Sequence, residues 1–416
     1  MTPTGQFHLV TLGCPKNEVD SDKLAGTLVA DGMVPTDRVE DAELIVVNTC
    51  AFVEDARRES IDTVLALADE RQAGARLVVT GCMAERYGTE LADELPEVDQ
   101  VVGFGVPVVM GKTRSNGAPP PVMDLLNLPR PASTRPWAYV KVAEGCDRAC
   151  GYCAIPSFRG PQRSRSPESV LAEVDGLGVR EVVLVAQDLA AYGRDQGVGE
   201  KAIVALLGAV VDRVDWVRLL YLYPSELTDP LVDAVCASGV PYFDLSLQHV
   251  SRPLLRRMRR WGDGDRFSAL VERIRRREPD ATFRSNFIVG YPGETEEDHD
   301  ELLAFVADAS LDWCGFFAFS EEVGTHAEGL DGAVAAPLVA ERLRELGELQ
   351  DAITASKRDA LIGRQVEVLV DEPGWGRTHR EAPEIDGLVE VPADLPVGEF
   401  ATLTVTGAAG PDLEAA

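Results

Sequence analysis

The sequence predicts an α/β protein in three parts: an N-terminal parallel α/β sheet domain, a central partial (β/α)6 TIM-like barrel and a small C-terminal β-barrel. Near-continuous apolar strands alternate with helical segments over most of the 416 residues, which indicates parallel sheets covered on both faces. The C-terminal segment carries short alternating strands bounded by Gly and Pro, a pattern typical of a small barrel. We expect domains at 1–106, 137–350 and 351–416, with a linker at 107–136.

The N-terminal domain is predicted from three successive strand–helix units. The strands HLVTLGC, ELIVVNTC and RLVVTGC each end in a cysteine, namely Cys14, Cys50 and Cys82. Because parallel strands point the same way and ligands bind beyond their carboxyl ends, these cysteines should converge in space. Three buried and inert thiols are the alternative, since unpaired cysteine is often a core residue.

The central barrel is predicted from six further strand–helix units after a Pro-rich stretch, APPPVMDLLNLPRPASTRP, which reads as a linker. Six units are too few for a closed eight-stranded barrel, so an open, partial barrel is the simplest arrangement. The predicted strands are 138–142, 181–187, 217–223, 243–248, 282–289 and 314–319. The chemistry should lie at the carboxyl ends of these strands.

The segment EGCDRACGYCAIPSFRGPQRSR carries three closely spaced cysteines, Cys146, Cys150 and Cys153. Three thiolates on one short loop can hold three irons of a cubane 4Fe–4S cluster and leave the fourth iron without a protein ligand. A zinc knuckle or a disulfide loop is the competing interpretation. Zinc sites usually bring a fourth Cys or His at paired spacing, which this segment lacks.

The charge of the chain bears on its partners. The formal net charge is −29, which repels phosphate backbones and attracts basic partners. From Arg364 onward eleven acids stand against three arginines, whereas an oligonucleotide-binding barrel needs the opposite sign. Neither a signal-peptide pattern nor an apolar run long enough to span a bilayer occurs in the sequence, so we expect a cytoplasmic protein without membrane contact.

These features together resemble one family, the methylthiotransferases, which are radical S-adenosylmethionine (SAM) enzymes with a second iron–sulfur cluster. The similar segments cover nearly the whole chain: LGCPKNEVDS, NTCAFVEDARRES, TGC, EGCDRACGYCAIPSFRG, RSR, VAQD and IVGYPGET. The resemblance implies one [4Fe-4S] cluster with SAM on the loop cysteines and another on the three strand-end cysteines. It also implies that the C-terminal barrel is a TRAM domain, an OB-like fold that presents the substrate.

Two branches of that family differ in substrate: one modifies an adenosine of transfer RNA, the other an aspartate of ribosomal protein twelve of the small subunit. Pro15 and Lys16, the run Leu220–Pro224 and the segment EAPEIDG resemble the second branch. The acidic barrel agrees, because a ribosomal protein is basic. We therefore expect methylthiolation of an aspartate β-carbon, with two SAM molecules and no direct transfer-RNA binding. Transfer-RNA methylthiolation and a non-catalytic iron–sulfur carrier are the alternatives.

Three other residues are candidate cofactor contacts. Tyr152 could stack on the adenine end of SAM or merely shape the cysteine loop. Gln187 and Asp188 end a barrel strand at the expected catalytic face, where contact with SAM competes with simple strand termination. Beyond the cluster ligands, the sequence indicates no separate catalytic residue.

Five arginines close together in the sequence form a basic island. The island comprises Arg252, Arg256, Arg257, Arg259 and Arg260. It is either a solvated helix face or a contact with ribosomal RNA or with an acidic patch of the same protein. The resemblance further implies an electron donor such as a flavodoxin or ferredoxin, and the sulfur donor is unknown.

Overall fold

The computed structural model describes residues 5–108, 123–199 and 201–416. Two compact units divide the chain: Met1–Ala132 with Ala143–Arg148 and Cys153–Gly176, and Ser133–Val142 with Ala149–Tyr152 and Leu177–Ala416. Much of the predicted linker, 109–122, lies outside the described residues, and the predicted domain boundaries stay predictions. No helix within the described ranges combines the length and apolar character needed to span a bilayer.

The first unit contains a parallel five-stranded sheet with the order β2-β1-β3-β4-β5. Its elements are β1 (Gln6–Thr11), α1 (Pro15–Ala30), β2 (Val34–Pro35), β3 (Leu44–Thr49), α2 (Glu54–Glu70), β4 (Arg76–Gly81), α3 (Cys82–Glu94) and β5 (Gln100–Val101). All residues of the central strand β3 are buried. Ile45 and Val47 join one apolar cluster and Leu44 and Val46 another, because successive side chains point to opposite faces of a strand. The predicted sheet with two covered faces is confirmed.

Strands and helices alternate through the middle of the chain. The elements are β6 (Trp137–Lys141), β7 (Ala143–Glu144), α4 (Ile155–Arg159), β8 (Arg163–Ser164), α5 (Pro167–Leu177), β9 (Glu181–Val185), α6 (Lys201–Val211), β10 (Trp216–Leu219), α7 (Asp229–Cys236), β11 (Tyr242–Gln248), α8 (Arg252–Arg257), α9 (Gly264–Arg277), β12 (Thr282–Val289), α10 (Glu296–Ala309), β13 (Trp313–Ala318) and α11 (Ala336–Asp359). The short strands β7 and β8 pair antiparallel within the first unit.

Six parallel strands of the second unit form the expected partial barrel. They make two three-stranded sheets, β10-β9-β6 and β11-β12-β13, which a parallel bridge between Leu222 and Leu245 connects. The strand predicted at 217–223 ends earlier, at Leu219. Tyr221 has a φ of 65° and its N–H donates to the Asp244 carboxylate at 2.8 Å, so the chain leaves the extended conformation there.

The C-terminal residues close a five-stranded barrel in the order β14-β15-β16-β18-β17. Its strands are β14 (Gln365–Glu372), β15 (Trp375–Arg377), β16 (Val389–Glu390), β17 (Phe400–Ala409) and β18 (Asp412–Ala415). The last strand, β18, pairs with β16 on one side and with β17 on the other. Closure leaves no open edge on this barrel.

Buried ion pairs join the C-terminal barrel to the partial barrel within the second unit. Arg377 Nη1 lies 2.7 Å from Glu181 Oε2, and the same carboxylate accepts from Arg218 Nε at 2.9 Å. Arg358 of α11 pairs with Glu381. Because an unpaired buried charge is costly, these pairs hold the two barrels in one arrangement.

Candidate metal centres

The three strand-end cysteines of the first unit lie close together. Cys14 caps the N-terminus of α1, Cys50 follows β3 and Cys82 is the first residue of α3. Burial, and after it the neighbouring Cys14 and Cys82, raise the pKa of Cys50 to about 12. A Cβ atom on Gly13 would stand 2.7 Å from Cys50 Cβ. The loop after β1 therefore passes directly over Cys50, and only glycine fits there.

Two asparagines and a serine hold these strand ends in place. The side chain of Asn17, which is fully buried, donates to Leu12 O at 2.8 Å and to Thr49 O at 3.1 Å. The Cys50 N–H donates to Ser60 Oγ at 3.2 Å, and Asn48 Nδ2 donates to the backbone oxygen of Asn17 at 2.8 Å. These bonds fix the cysteine backbone before any ligand is added.

A buried arginine, Arg159 at the end of α4, reaches the cysteine group. Its Nη2 donates to Cys82 Sγ at 3.0 Å and to Asn17 Oδ1 at 2.8 Å. Its Nη1 donates to Glu144 Oε1 at 2.8 Å and lies 3.4 Å from Asp20 Oδ2. The guanidinium thus shares its donors between a thiol and two carboxylates.

The charge of Arg159 also acts on Cys14. Burial would raise the pKa of the Cys14 thiol, but Lys16 and Arg159 together with backbone donors hold that pKa below its ordinary value. Burial raises the pKa of Cys82, which Arg159 opposes. The thiolate is the form that binds metal, so the positive groups around these thiols favour ligation.

The loop cysteines Cys146, Cys150 and Cys153 are all partly exposed. Within the first unit, the Cys146 N–H donates to Gly160 O at 3.1 Å, and the Arg148 N–H donates to Cys146 Sγ at 3.4 Å. Hydrogen bonds from backbone N–H groups to sulfur are a feature of iron–sulfur sites.

Within the second unit, Gly151 anchors the middle of the same loop. Its N–H donates to Met258 O and its carbonyl accepts from the Ala327 N–H, both at 2.7 Å. A Cβ at this position would stand 2.9 Å from Tyr291 Oη. Close packing therefore selects glycine between Cys150 and Tyr152.

Arg260 is a second buried arginine on a cysteine. Its Nη1 donates to Cys150 Sγ at 3.3 Å, and its guanidinium lies 4.4 Å from the ring centroid of Tyr223. Its Nη2 donates to the backbone oxygen of Ser246. Against the effect of burial, Tyr152 and Cys150 raise the pKa of Arg260.

Sequence reasoning missed both arginines. It placed Arg260 in a basic island, but Arg257 pairs with Asp331 and Arg259 bonds His326, while Arg260 is buried. Only the positions of the two arginines in the sequence could have pointed to them. Arg260 follows the end of α8, and Arg159 lies in the segment that resembles the family. Neither signal identifies a thiol as the partner.

The other predicted cofactor contacts lie at the expected strand end. Gln187 is half-buried and Asp188 is 4% exposed, just beyond the end of β9. Asp188 begins a short helical turn and its carbonyl accepts from the Ala191 N–H at 3.3 Å, which agrees with strand termination. Tyr152 is half-buried within the cysteine loop, and contact of all three with SAM stays a prediction.

The donor sets fit iron–sulfur clusters. None of the eight cysteines, all of which are described, forms a disulfide bond. Among the residues in the described ranges, no three His, Cys, Asp or Glu side chains are spaced for a single metal ion. A cubane cluster distributes its ligands over separate irons, and soft thiolates are the ligands it takes.

Comparison with known proteins agrees with this architecture. The model of the uncharacterized protein family UPF0004 matches residues 6–103, that of the radical SAM superfamily matches 140–306 and that of the TRAM domain matches 362–416. Among solved structures, the cobalamin-dependent S-adenosylmethionine radical enzyme OxsB has a TM-score of 0.50 at 11% identity, over 84% of this chain and 56% of that chain. That likeness concerns the fold alone.

Relatives of similar length carry the assignment. Ribosomal protein uS12 methylthiotransferase RimO of Kineococcus radiotolerans is 43% identical over 97% of this chain and 96% of its own length. The protein of the same description from Moorella thermoacetica is 43% identical over 96% of both chains. The chain therefore belongs to the RimO family of ribosomal protein uS12 methylthiotransferases.

Proposed function

We propose that this protein transfers a methylthio group to the β-carbon of an aspartate in ribosomal protein uS12, in the cytoplasm where ribosomes are made. The observation that carries the proposal is the meeting of Cys14, Cys50 and Cys82 at the strand ends, in a chain that also carries the loop cysteines. An electron carrier can hold each cluster with four cysteines and needs no open iron, whereas each of these sets offers only three. A flavodoxin or a ferredoxin is the electron donor we propose.

Each set of cysteines would hold one [4Fe-4S] cluster. The two sets are Cys14, Cys50 and Cys82 of the strand ends, and Cys146, Cys150 and Cys153 of the loop. When bound, the loop cluster with SAM supplies a radical that can remove an unactivated hydrogen, and the strand-end cluster supplies sulfur. The protein contributes thiolates, the backbone donor at Cys146 and the two buried arginines.

The C-terminal barrel offers an acidic surface for a basic protein. All three of its arginines face carboxylates: Arg377 pairs with Glu181, and Arg364 and Arg380 pair with Asp280. Seven of its acids are exposed, namely Glu367, Glu372, Glu384, Glu390, Asp394, Glu399 and Glu414. Of these, Glu384 pairs with Arg135 and Glu399 lies 4.0 Å from Arg180. The other five keep this surface negative, which favours a basic substrate over RNA.

A single row of residues across this barrel is the contact that we propose for uS12. Strand pairing aligns Glu372 with Trp375, Trp375 with Glu390, and Glu390 with Glu414. Like charges on neighbouring strands destabilise a sheet, and a cationic partner would remove that cost. Trp375 supplies an amphipathic ring within the acidic row.

The charge reversal Glu372→Lys with Glu390→Lys and Glu414→Lys tests the row. We expect uS12 binding to weaken roughly tenfold or more and to lose much of its salt dependence, because surface charges act through screened attraction. Calorimetric titration with isolated uS12 at two salt concentrations measures this. The matched control reverses three exposed acids of the same unit, Glu272, Asp300 and Asp308, and equal weakening in the control would remove the row from the proposal.

Anaerobic turnover tests the function directly. Reconstituted protein, SAM, a reductant and isolated uS12 should give a uS12 product carrying one methylthio group on an aspartate, as read by mass spectrometry. Transfer RNA offered under the same conditions should be unmodified and should not shift on a gel. A modified transfer RNA beside unmodified uS12 would select the other branch, and an absence of SAM cleavage would favour the electron carrier.

A further inference from the structure

Arg159 makes more polar contacts than the neutralisation of its charge requires. It is 8% exposed, and it lies among Asn17, Asp20, Glu144 and Cys82 with a donor aimed at each. Two acids would suffice to neutralise one arginine. The additional donor to Cys82 Sγ therefore needs a separate explanation.

We infer that Arg159 is a positioning residue that sets the reduction potential of the strand-end cluster through its N–H bond to Cys82 Sγ, with Asp20 and Glu144 limiting its effect. The inference rests on the proposed function, since it requires a cluster on Cys82. Hydrogen bonds to cluster sulfur and nearby net charge are among the factors that set such potentials.

The effect of Arg159 on the cluster would be electrostatic. Reduction adds one negative charge to a cluster, and a guanidinium that donates to a ligand sulfur favours the more negative state. The site is buried, with Asp20 1% exposed and Cys82 7% exposed, so the interaction is screened less than at the surface. Asp20 and Glu144 oppose it, because their carboxylates favour the less negative cluster.

Arg159 and Asp20 carry opposite charges, so removing one or the other should shift the midpoint potential of the cluster in opposite directions. Arg159→Gln removes the cation and should move the midpoint potential in the negative direction. Asp20→Asn removes an acid beside the same guanidinium and should move the midpoint in the positive direction. A residue that only supported the fold would not produce shifts of opposite sign.

The experiment uses the full chain with Cys146, Cys150 and Cys153 replaced by alanine, so that one cluster is present. Each protein is reconstituted anaerobically, its iron and sulfide are measured, and the reduced cluster is followed by electron paramagnetic resonance during a redox titration. For Arg159→Gln we expect about a tenfold lower ratio of reduced to oxidised cluster at a fixed potential, which is about 59 mV for one electron. Arg159→Lys keeps the charge and should recover part of that shift.

Controls separate this inference from the proposed function. If the parent without loop cysteines holds no iron, the assignment of Cys14, Cys50 and Cys82 fails. If the parent holds its cluster and the Arg159 and Asp20 variants keep the parent midpoint, or both move the same way, the role of Arg159 is overturned. Arg159→Gln in a chain that lacks the three strand-end cysteines should leave the midpoint of the loop cluster unchanged, and a comparable shift there would also overturn it.

Discussion

In both sets of candidate ligands a buried arginine donates to a cysteine sulfur, but the two arginines have different neighbours. Arg159 donates to Cys82 and also to the carboxylate of Glu144, with Asp20 close by. Arg260 instead donates to the Cys150 thiol and to a backbone oxygen and lies over the ring of Tyr223, and among the described residues no carboxylate pairs with it. Arg159 therefore shares its positive charge with two carboxylates, whereas the positive charge of Arg260 acts mainly on Cys150.

The exposure of the cysteines differs in the same way. Two of the three strand-end cysteines, Cys50 and Cys82, are 6% and 7% exposed while Cys14 is partly exposed, whereas all three loop cysteines are partly exposed. In a buried site a guanidinium needs acids beside it, because an unpaired buried charge is costly. If the loop site admits SAM, as proposed, cofactor and solvent can take part in balancing the charge of Arg260. On the proposed assignment, the strand-end set is the more enclosed, sulfur-donating site and the loop set is the open, radical-forming site.

Removing one cysteine from each set should have the largest effect on activity. Cys150→Ala should abolish SAM cleavage, because a cluster that loses one of three ligands no longer presents its open iron correctly. Cys50→Ala should preserve SAM cleavage but abolish methylthiolation of uS12. Chromatography of 5′-deoxyadenosine and mass spectrometry of uS12 measure the two outcomes.

The control for these variants is Cys236→Ala. Cys236 is half-buried at the end of α7, and its pKa is raised by burial and by Glu278 and Asp233. Its replacement should leave both activities near those of the parent. Full methylthiolation by Cys50→Ala would contradict the assignment of two clusters.

Two glycines allow a gentler disturbance of each set. Gly13 has a φ of 98° and a Cβ there would meet Cys50 Cβ at 2.7 Å, so Gly13→Ala combines backbone strain of about 1–3 kcal/mol with a displaced ligand. Gly151 has no positive φ, and the added Cβ would meet Tyr291 Oη at 2.9 Å, so Gly151→Ala disturbs a side-chain contact without the backbone strain. Iron analysis should show that Gly13→Ala loses about half of its iron and that Gly151→Ala keeps most of it. Equal losses in the two variants would contradict this difference.

The strand-end cysteines were predictable because they depend on a one-dimensional pattern. Each apolar run of the first domain ends in a cysteine, and the parallel sheet then brings Cys14, Cys50 and Cys82 together. The partial barrel and the C-terminal barrel were predictable for the same reason. Hydrophobic periodicity identifies elements, and parallel topology places their ends.

The arginines were not predictable because their contacts cross long stretches of chain. Arg159 reaches Cys82 over 77 positions, and Arg260 reaches Cys150 over 110. No local pattern specifies which thiol a long flexible side chain will contact. The early end of β10 has a similar cause, since Asp244 of a neighbouring strand stabilises the positive φ of Tyr221.

Replacing Arg260 tests whether its contact with Cys150 supports SAM cleavage. Arg260→Met removes the charge and the N–H bond to Cys150, and we expect SAM cleavage to slow by roughly 10–100-fold, as is usual for groups that support metal ligands. Arg260→Lys keeps the charge without the planar fork and should recover only part of the rate. Single-turnover SAM cleavage, normalised to iron content, measures both.

An exposed arginine of the preceding helix, α8, provides the control for Arg260. Arg256 is exposed on α8, and Arg256→Met should cleave SAM at the parent rate. A fall in the Arg256 variant as large as in the Arg260 variant would show that the general charge of α8 matters, and the contact with Cys150 would lose its support.

The smallest expected effect concerns the aromatic residue within the open site. If Tyr152 stacks on SAM, Tyr152→Phe keeps the ring and should leave the KM for SAM within about twofold, while Tyr152→Leu should raise it by roughly 2–10-fold, the range that aromatic pairing supports. Phe52 is the matched aromatic two residues after Cys50, and it is 46% exposed. Phe52→Leu should leave the KM for SAM unchanged, because the proposed assignment places the cleaved SAM at the loop cysteines. A Leu variant at Tyr152 with the parent KM and a lower iron content would instead assign Tyr152 to shaping the loop, and the open site would then owe its cofactor affinity to the cluster and to groups such as Asp188.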